Sequence, residues 1–174
     1  MRLNTILLTE KQRFTLFTDL DGVLVDFDPI AEEITGFKRD QWGTKEVKRN
    51  FWKAFEREAK AGRETWGRMP PMADAFELWN YVKKYDPHIL SATGHIKTAE
   101  LEKRKWVAKH LHITDQSKVH FVRNSKDKAM FATPTSILID DRNKSIDPWI
   151  AAGGIGILHK NAADTIKKLK ELGI

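Results

Sequence analysis

The chain has no cysteine among its 174 residues, which excludes disulfides, thiolate metal ligands and cysteine nucleophiles. It also lacks long hydrophobic runs. The apolar stretch near the start, Thr5-Ile6-Leu7-Leu8, gives way to charges and is too short for a signal peptide or a membrane span. A cytoplasmic protein without membrane association is therefore expected. There is no internal repeat and no low-complexity tract, which argues against solenoids and disordered polar segments. Hydrophobic residues make up 41% and charged residues 31%, ordinary for a soluble globular chain of one domain with a small insertion. The net charge of +6 suits a partner bearing phosphates, a nucleotide or a nucleic acid. The lysines are spread over several helical segments rather than clustered, so solvated helix faces account for much of that charge.

Against this background one stretch stands out, Arg13 to Asp28, RFTLFTDLDGVLVDFD. An apolar run with β-branched and aromatic residues meets Asp19 and Asp21 and then Gly22. That pattern is a buried strand carrying two carboxylates to its carboxyl end and turning on a glycine. In open α/β sheets ligands bind at that end. Two neighbouring acids repel, so a divalent cation is their natural counter-charge. A lone D-x-D is usually a turn. Here a second pair, Asp140-Asp141, follows another apolar run, Ser136 to Ile139. Two such pairs point to metal-assisted phosphoryl transfer with Mg²⁺ as cofactor.

The rest of the chain alternates strand and helix patterns. Strands are expected at about 14–19, 88–90, 119–122, 136–139 and 155–158. Helices are expected around Ile30–Phe37, over Glu46–Gly62, over Ala73–Tyr85, and at 98–111, 125–131, 146–152 and 162–172. Alternation of this kind predicts an α/β fold, a three-layer Rossmann-like parallel sheet with helices on both faces. Residues 29–71 hold helix and loop without a strand, and are expected to form a small helical cap over the Asp19 end. Residues 1–28 and 72–174 would then form the core domain.

Chemistry assigns the acids. A carboxylate such as Asp19 can attack a phosphomonoester to give an aspartyl-phosphate, and Asp21, on the same face, can protonate the leaving alkoxide and then activate water. Asp140 and Asp141 complete an all-oxygen metal site with Asp19 and Asp21. Side chains alternate along a strand, so one of the second pair is expected to be a direct ligand and the other to support it. Ser91 ends the second strand, where a hydroxyl and free N–H groups can hold phosphoryl oxygens, with Thr93 as reserve. A cation must offset transition-state charge. Lys103, Lys105, Lys126 and Lys128 are the candidates, and Arg123 and Arg142 lie at strand ends. The aromatics Phe27, Phe37, Trp42, Phe51, Trp52 and Trp66 are either core or a surface on which a base can stack. Gly153-Gly154-Ile155-Gly156 reads as a helix terminus and turn, and His110, His112 and His120 as surface histidines.

The segment FTDLDGVLVDFD resembles the first motif of the haloacid dehalogenase-type phosphatases, D-x-D-G-[VT]. Its extension through Val25-Asp26-Phe27 is similar to the 5′(3′)-deoxyribonucleotidase family. The resemblance also covers Ser91 as second motif, Lys103-Arg104-Lys105-Trp106-Val107 as K-x-x-W-V, and LIDDR as fourth motif. It implies Asp19 as nucleophile and Asp21 as acid–base, with the Asp21 backbone carbonyl also on Mg²⁺. It further implies Asp141 as the direct carboxylate ligand and Lys103 as the phosphate-facing cation. Phe27 would face the base, with Trp52 and Trp66 as further candidates. The implied substrate is a nucleoside monophosphate, a small-molecule nucleotide. The Arg104-Lys105-Trp106 and Ile139-Asp140-Asp141-Arg142 segments also resemble polynucleotide 3′-phosphatases, whose substrate is a nucleic-acid end. A non-catalytic nucleotide-binding module is the third reading.

Overall fold

The computed structural model describes residues 14–174. The lead-in expected at 1–12, with its short apolar run, lies outside the described residues. Five strands, β1 (Thr15–Thr18), β2 (His88–Ala92), β3 (Val119–Val122), β4 (Ser136–Asp140) and β5 (Ile155–Leu158), form one parallel sheet in the order β3-β2-β1-β4-β5. Six α-helices accompany them: α1 (Asp28–Thr35), α2 (Lys45–Lys60), α3 (Ala75–Val82), α4 (Ala99–Leu111), α5 (Asn143–Ala151) and α6 (Ala162–Glu171). This is the α/β, three-layer Rossmann-like arrangement that the alternation predicts.

Strand periodicity builds two cores. Leu16, Ile89, Ile137, Ile139 and Ile157 face one side, where Trp106 of α4 and Leu169 of α6 cover them. Phe17, Leu90 and Leu138 face the other, under Ile146 and Trp149 of α5. Every residue of β4 is buried, as expected for an inner strand covered on both faces. β1 is central, and the chain winds outward from it first through β2 to β3, then through β4 to β5. The direction of winding therefore reverses between β1 and β4, and the crevice at their carboxyl ends is where such sheets bind ligands.

Residues 29–71 continue α1, then form a 3₁₀ turn at Arg39–Gly43, α2, and a second turn at Trp66–Arg68. In α2 the Thr44 hydroxyl accepts the Val47 N–H as an N-cap, and Phe51 and Phe55 sit one helical turn apart on the buried face. The two ends of this segment leave the core side by side. Asp26 N–H donates to the Pro70 carbonyl at 2.8 Å and Met72 N–H to the Leu24 carbonyl at 2.9 Å. The 125–131 segment is a 3₁₀ helix packed against α5. α5 starts at Asn143 rather than Ile146, because the Ser145 and Ile146 N–H groups both donate to the Arg142 carbonyl. Among the described residues no helix is long and apolar enough to cross a membrane.

Candidate active site

Asp19 directly follows β1. Its N–H donates to the Ile139 carbonyl of β4 at 2.9 Å, and its carboxylate accepts the Leu20 N–H at 2.8 Å. The chain then turns tightly: the Val23, Leu24 and Val25 N–H groups all donate to the Leu20 carbonyl, and Gly22 N–H donates to that of Val25. Gly22 sits at φ +80°, and a β-carbon there would collide with the Asp141 carboxylate. The turn needs glycine for its conformation and for its space.

Asp19, Asp140 and Asp141 bring one carboxylate oxygen each to within 4.8 Å of one another. The sequence predicts one of Asp140 and Asp141 as a direct ligand and the other as its support. Both enter the cluster, because β4 ends at Asp140 and strand alternation no longer governs Asp141. The Asp21 carboxylate, predicted as a fourth ligand, stands outside this trio and bonds Lys103 instead. The charges strain against each other. Burial, then the Asp19 charge, pushes the Asp140 carboxyl up to about 6 despite Lys128. Burial and the charges of Asp19 and Asp140 push Asp141 up to about 7 against Arg39 and Arg142. Burial would raise Asp19 too, but the Lys128 and Lys103 ammonium groups outweigh it and hold that carboxyl below its ordinary range.

These residues fit a divalent cation. The donors are all hard oxygens, and Asp21 Oδ1 and Asp141 Oδ1 are buried without a hydrogen-bond partner among the described residues.

Two buried lysines hold the acids from different directions. Lys103, on α4 and 1% exposed, donates to Asp21 Oδ2 at 2.7 Å, to Ser91 Oγ at 3.0 Å and to the Ala92 carbonyl at 2.8 Å. Lys128, in the 125–131 turn and equally buried, lies 2.9 Å from Asp19 Oδ2 and 2.6 Å from Asp140 Oδ2. The Asp19 and Asp140 charges raise its pKa in spite of burial. The sequence named Lys128 only as a rival to Lys103, while the structure gives each lysine its own partners. Lys126 lines the cavity and is exposed, and Lys105 is exposed and paired with Glu64 at 3.2 Å.

Asp19, Asp21 and Asp141 open into a cavity of about 950 Å³, with Asp140 buried behind them. Ser91 and Thr93 line it, although the Thr93 hydroxyl donates to the Val122 carbonyl at 3.3 Å. Phe27, Trp42, Phe51, Trp52 and Trp66 form an aromatic wall. Much of this wall is also core: Trp66 is 2% exposed, and Phe27 stacks on Phe51 and Phe55 with centroids 5.9 and 5.6 Å away. Trp52 is half-buried, and Phe37 does not reach the cavity.

Three contacts had no signal in the sequence. Arg39 reaches from its turn to Asp28 at 3.0 Å and to Asp141 at 3.5 Å. His95, after β2, meets Glu56 of α2 at 2.8 Å. Buried Glu102 accepts from Thr65 N–H and Oγ and from Gly67 N–H at 2.7, 3.2 and 3.3 Å, which fixes the loop carrying Trp66 onto α4. The expected surface position of His120 is also corrected. It is half-buried, with its ring nitrogen 2.7 Å from that of His88.

No protein-family model and no curated protein sequence matches the chain. Solved structures do. A haloacid dehalogenase superfamily hydrolase from Ehrlichia chaffeensis aligns over 94% of this chain and 99% of its own, at 12% identity and a TM-score of 0.55. A family IA, variant 3 hydrolase from Entamoeba histolytica aligns over 92% and 89%, at 15% identity and 0.54. A third, from Deinococcus radiodurans, aligns over 90% and 88%, at 14% identity and 0.53. With the five-stranded order and the cluster at the β1–β4 crevice, these likenesses give the chain the fold of the haloacid dehalogenase-like hydrolases.

Proposed function

We propose that the protein is a cytoplasmic, Mg²⁺-dependent phosphomonoesterase acting on nucleotides through an aspartyl-phosphate on Asp19. The observation that carries this reading is the Asp19–Asp140–Asp141 trio at the mouth of the β1–β4 crevice, with Asp21 beside it on Lys103. Support also comes from the Deinococcus radiodurans neighbour, whose structure contains bound phosphate and sodium.

The roles follow from position. Asp19, Asp140 and Asp141 would hold the metal, joined by the Asp21 backbone carbonyl as the resemblance implies. The bound ion supplies positive charge that lets an anionic carboxylate meet an anionic phosphate. Asp19 attacks phosphorus, the bond to the ester oxygen breaks, and Asp21 delivers its proton to that oxygen. Asp21 then takes a proton from water as the water attacks the phosphoryl group, releasing inorganic phosphate and restoring the Asp19 carboxylate. Lys103 and Ser91 offer donors to the phosphoryl oxygens, and Lys128 keeps Asp19 ionised and oriented. The 29–71 segment acts as the cap, and its aromatic wall, Phe27, Trp52 and Trp66 included, receives the base.

The test is phosphate release across the nucleoside monophosphates with and without Mg²⁺. Release is expected with Mg²⁺, and is expected to fall to background with EDTA and in Asp19→Asn. Unaltered release in Asp19→Asn would overturn the reading, and nucleotide binding without any release would leave a non-catalytic binding module.

A further inference from the structure

The cavity has two unlike walls. The 29–71 segment supplies the aromatic one. That segment also brings Arg39 and Lys48 to the lining, and the stretches after β3 and β4, with the 125–131 turn and the start of α5, bring Arg123, Lys126, Arg142 and Lys144. They converge because the 125–131 turn packs against α5, which starts beside Arg142. All four side chains are exposed, and none has an ion-pair partner among the described residues. Asn124 and Ser125 line the same stretch and add polar groups between the charges.

This wall is not needed to balance the floor. Four carboxylates there, of Asp19, Asp21, Asp140 and Asp141, face the ammonium groups of Lys103 and Lys128. With one divalent ion the sum is already zero. A nucleoside monophosphate would place its phosphate on the floor and its base on the aromatic wall, leaving Arg123, Lys126 and Lys144 without an anion and Arg142 with only the nearby Asp141 charge. Like charges gathered on one wall repel, and their arrangement suits an anion placed between them.

We infer that the substrate carries a second phosphoryl group, held by Arg123, Lys126, Arg142 and Lys144, while the first is hydrolysed at Asp19. This rests on the phosphomonoesterase reading and narrows its substrate class. The second group is either a phosphate on the other sugar hydroxyl of a nucleoside bisphosphate or the adjoining phosphodiester of an oligonucleotide end. Both present the same anionic oxygens to the wall.

The experiment compares kcat/KM for phosphate release from thymidine 3′,5′-bisphosphate with that from the better of the two thymidine monophosphates. It uses the wild type and the exposed-residue variants Arg123→Gln/Lys126→Gln and Arg142→Gln/Lys144→Gln. The wild type is expected to prefer the bisphosphate by about tenfold to a hundredfold, the effect of one or two hydrogen bonds between charged groups. That ratio is expected to fall toward one in the variants. Calorimetric binding of the same nucleotides to Asp19→Asn, which needs no turnover, is expected to show the same preference. Oligothymidylates phosphorylated at the 5′ or the 3′ end identify the source of the second group: a rate above that of the bisphosphate assigns a strand end, and a lower one the free nucleotide. A wild type that hydrolyses the monophosphates with a ratio near one overturns the second-phosphate inference alone. A wild type that releases phosphate from none of these compounds overturns the reading on which it rests.

Discussion

Lys128 is the side chain whose loss the fold should feel most. Its ammonium is 2.9 Å from Asp19 and 2.6 Å from Asp140, and all three side chains are within 8% of full burial. At an effective dielectric of about 20, each attraction is worth about 6 kcal/mol before costs. Removing an ammonium from water costs several kcal/mol, and the two carboxylates repel each other, so the net value is far smaller than the gross. Lys128→Met keeps the apolar stem and removes the charge. It leaves two buried anions without their cation, a change that costs about 3–5 kcal/mol. For a chain of this length that corresponds to a fall in Tm of about 6–20 °C.

The assay is urea unfolding followed by circular dichroism, with EDTA present, on wild type, Lys128→Met, Asp140→Asn and the double variant. The double variant is expected to be more stable than the sum of the single losses predicts, because neutralising Asp140 removes part of what Lys128→Met leaves unpaired. Added Mg²⁺ is expected to recover part of the lost stability in Lys128→Met, since the ion replaces the missing positive charge. A loss below about 1 kcal/mol in EDTA, the range of an exposed ion pair, would refute the claim that Lys128 neutralises the buried acids.

Three further outcomes follow from the same geometry. Gly22→Ala is expected to cost about 1–2 kcal/mol for its left-handed backbone, more once Asp141 is displaced, and to shrink the rise in Tm that Mg²⁺ produces; an unchanged Mg²⁺ shift would count against Asp141 as a ligand. Glu102→Gln turns one acceptor of three donors into an amide; a loss of about 1–3 kcal/mol is expected, with KM rising more than kcat falls because the Trp66 loop is what it positions. The His88–His120 pair is expected to make stability fall with acid. Burial first, then Lys118 and the His120 charge, lowers the His88 pKa against Asp86 and Asp115; burial, Arg104 and Lys118 lower that of His120. The unfolded chain therefore takes up protons near pH 6.5 that the fold refuses, so stability is level above about pH 6.5 and declines below it. Thermal melts between about pH 7.5 and 5.5 should show a shallower decline for His120→Gln than for wild type, and equal slopes would remove the pair as the cause.

The acids were legible because each breaks an apolar strand at its carboxyl end, where a charge has no packing reason to be. Asp19, Asp21, Asp140 and Asp141 needed only the polarity pattern and the turn at Gly22. Lys128 was not legible in the same way. The sequence offers 125–131 as a short helix with Lys126 and Lys128 as equal candidates, and in the structure Lys128 is buried beside α5 while Lys126, two residues earlier, is exposed. Strand alternation does not govern Asp141, because the strand stops one residue before it. The start of α5 was missed for a local reason: beginning at Ile146 would put Pro148 in the first turn, where proline is favoured, whereas it is the sixth helical residue and leaves the Lys144 carbonyl without its helical N–H. The aromatics show the limit of pattern reading. Phe27 and Trp66 were open between core and ligand surface, and the structure packs them at the edge where the core becomes the cavity wall.

The two lysines divide the site in a way that bears on how it can work. Lys128 holds Asp19 and Asp140 from the face of the sheet that carries α5, and Lys103 holds Asp21 and Ser91 from α4 on the opposite face. The proposed nucleophile and the proposed proton carrier are thus two residues apart in sequence but stabilised by cations from different layers. A nucleophile must stay ionised, and Lys128 favours the ionised form of Asp19. A proton carrier must change state during each turnover. Lys103 can follow that change, because its ammonium also donates to Ser91 and to the Ala92 carbonyl and so keeps partners when the Asp21 carboxylate gains a proton. Lys103 also favours the ionised form of Asp19, but Lys128 is the cation in contact with it, so Asp19 keeps that partner while Asp21 exchanges protons.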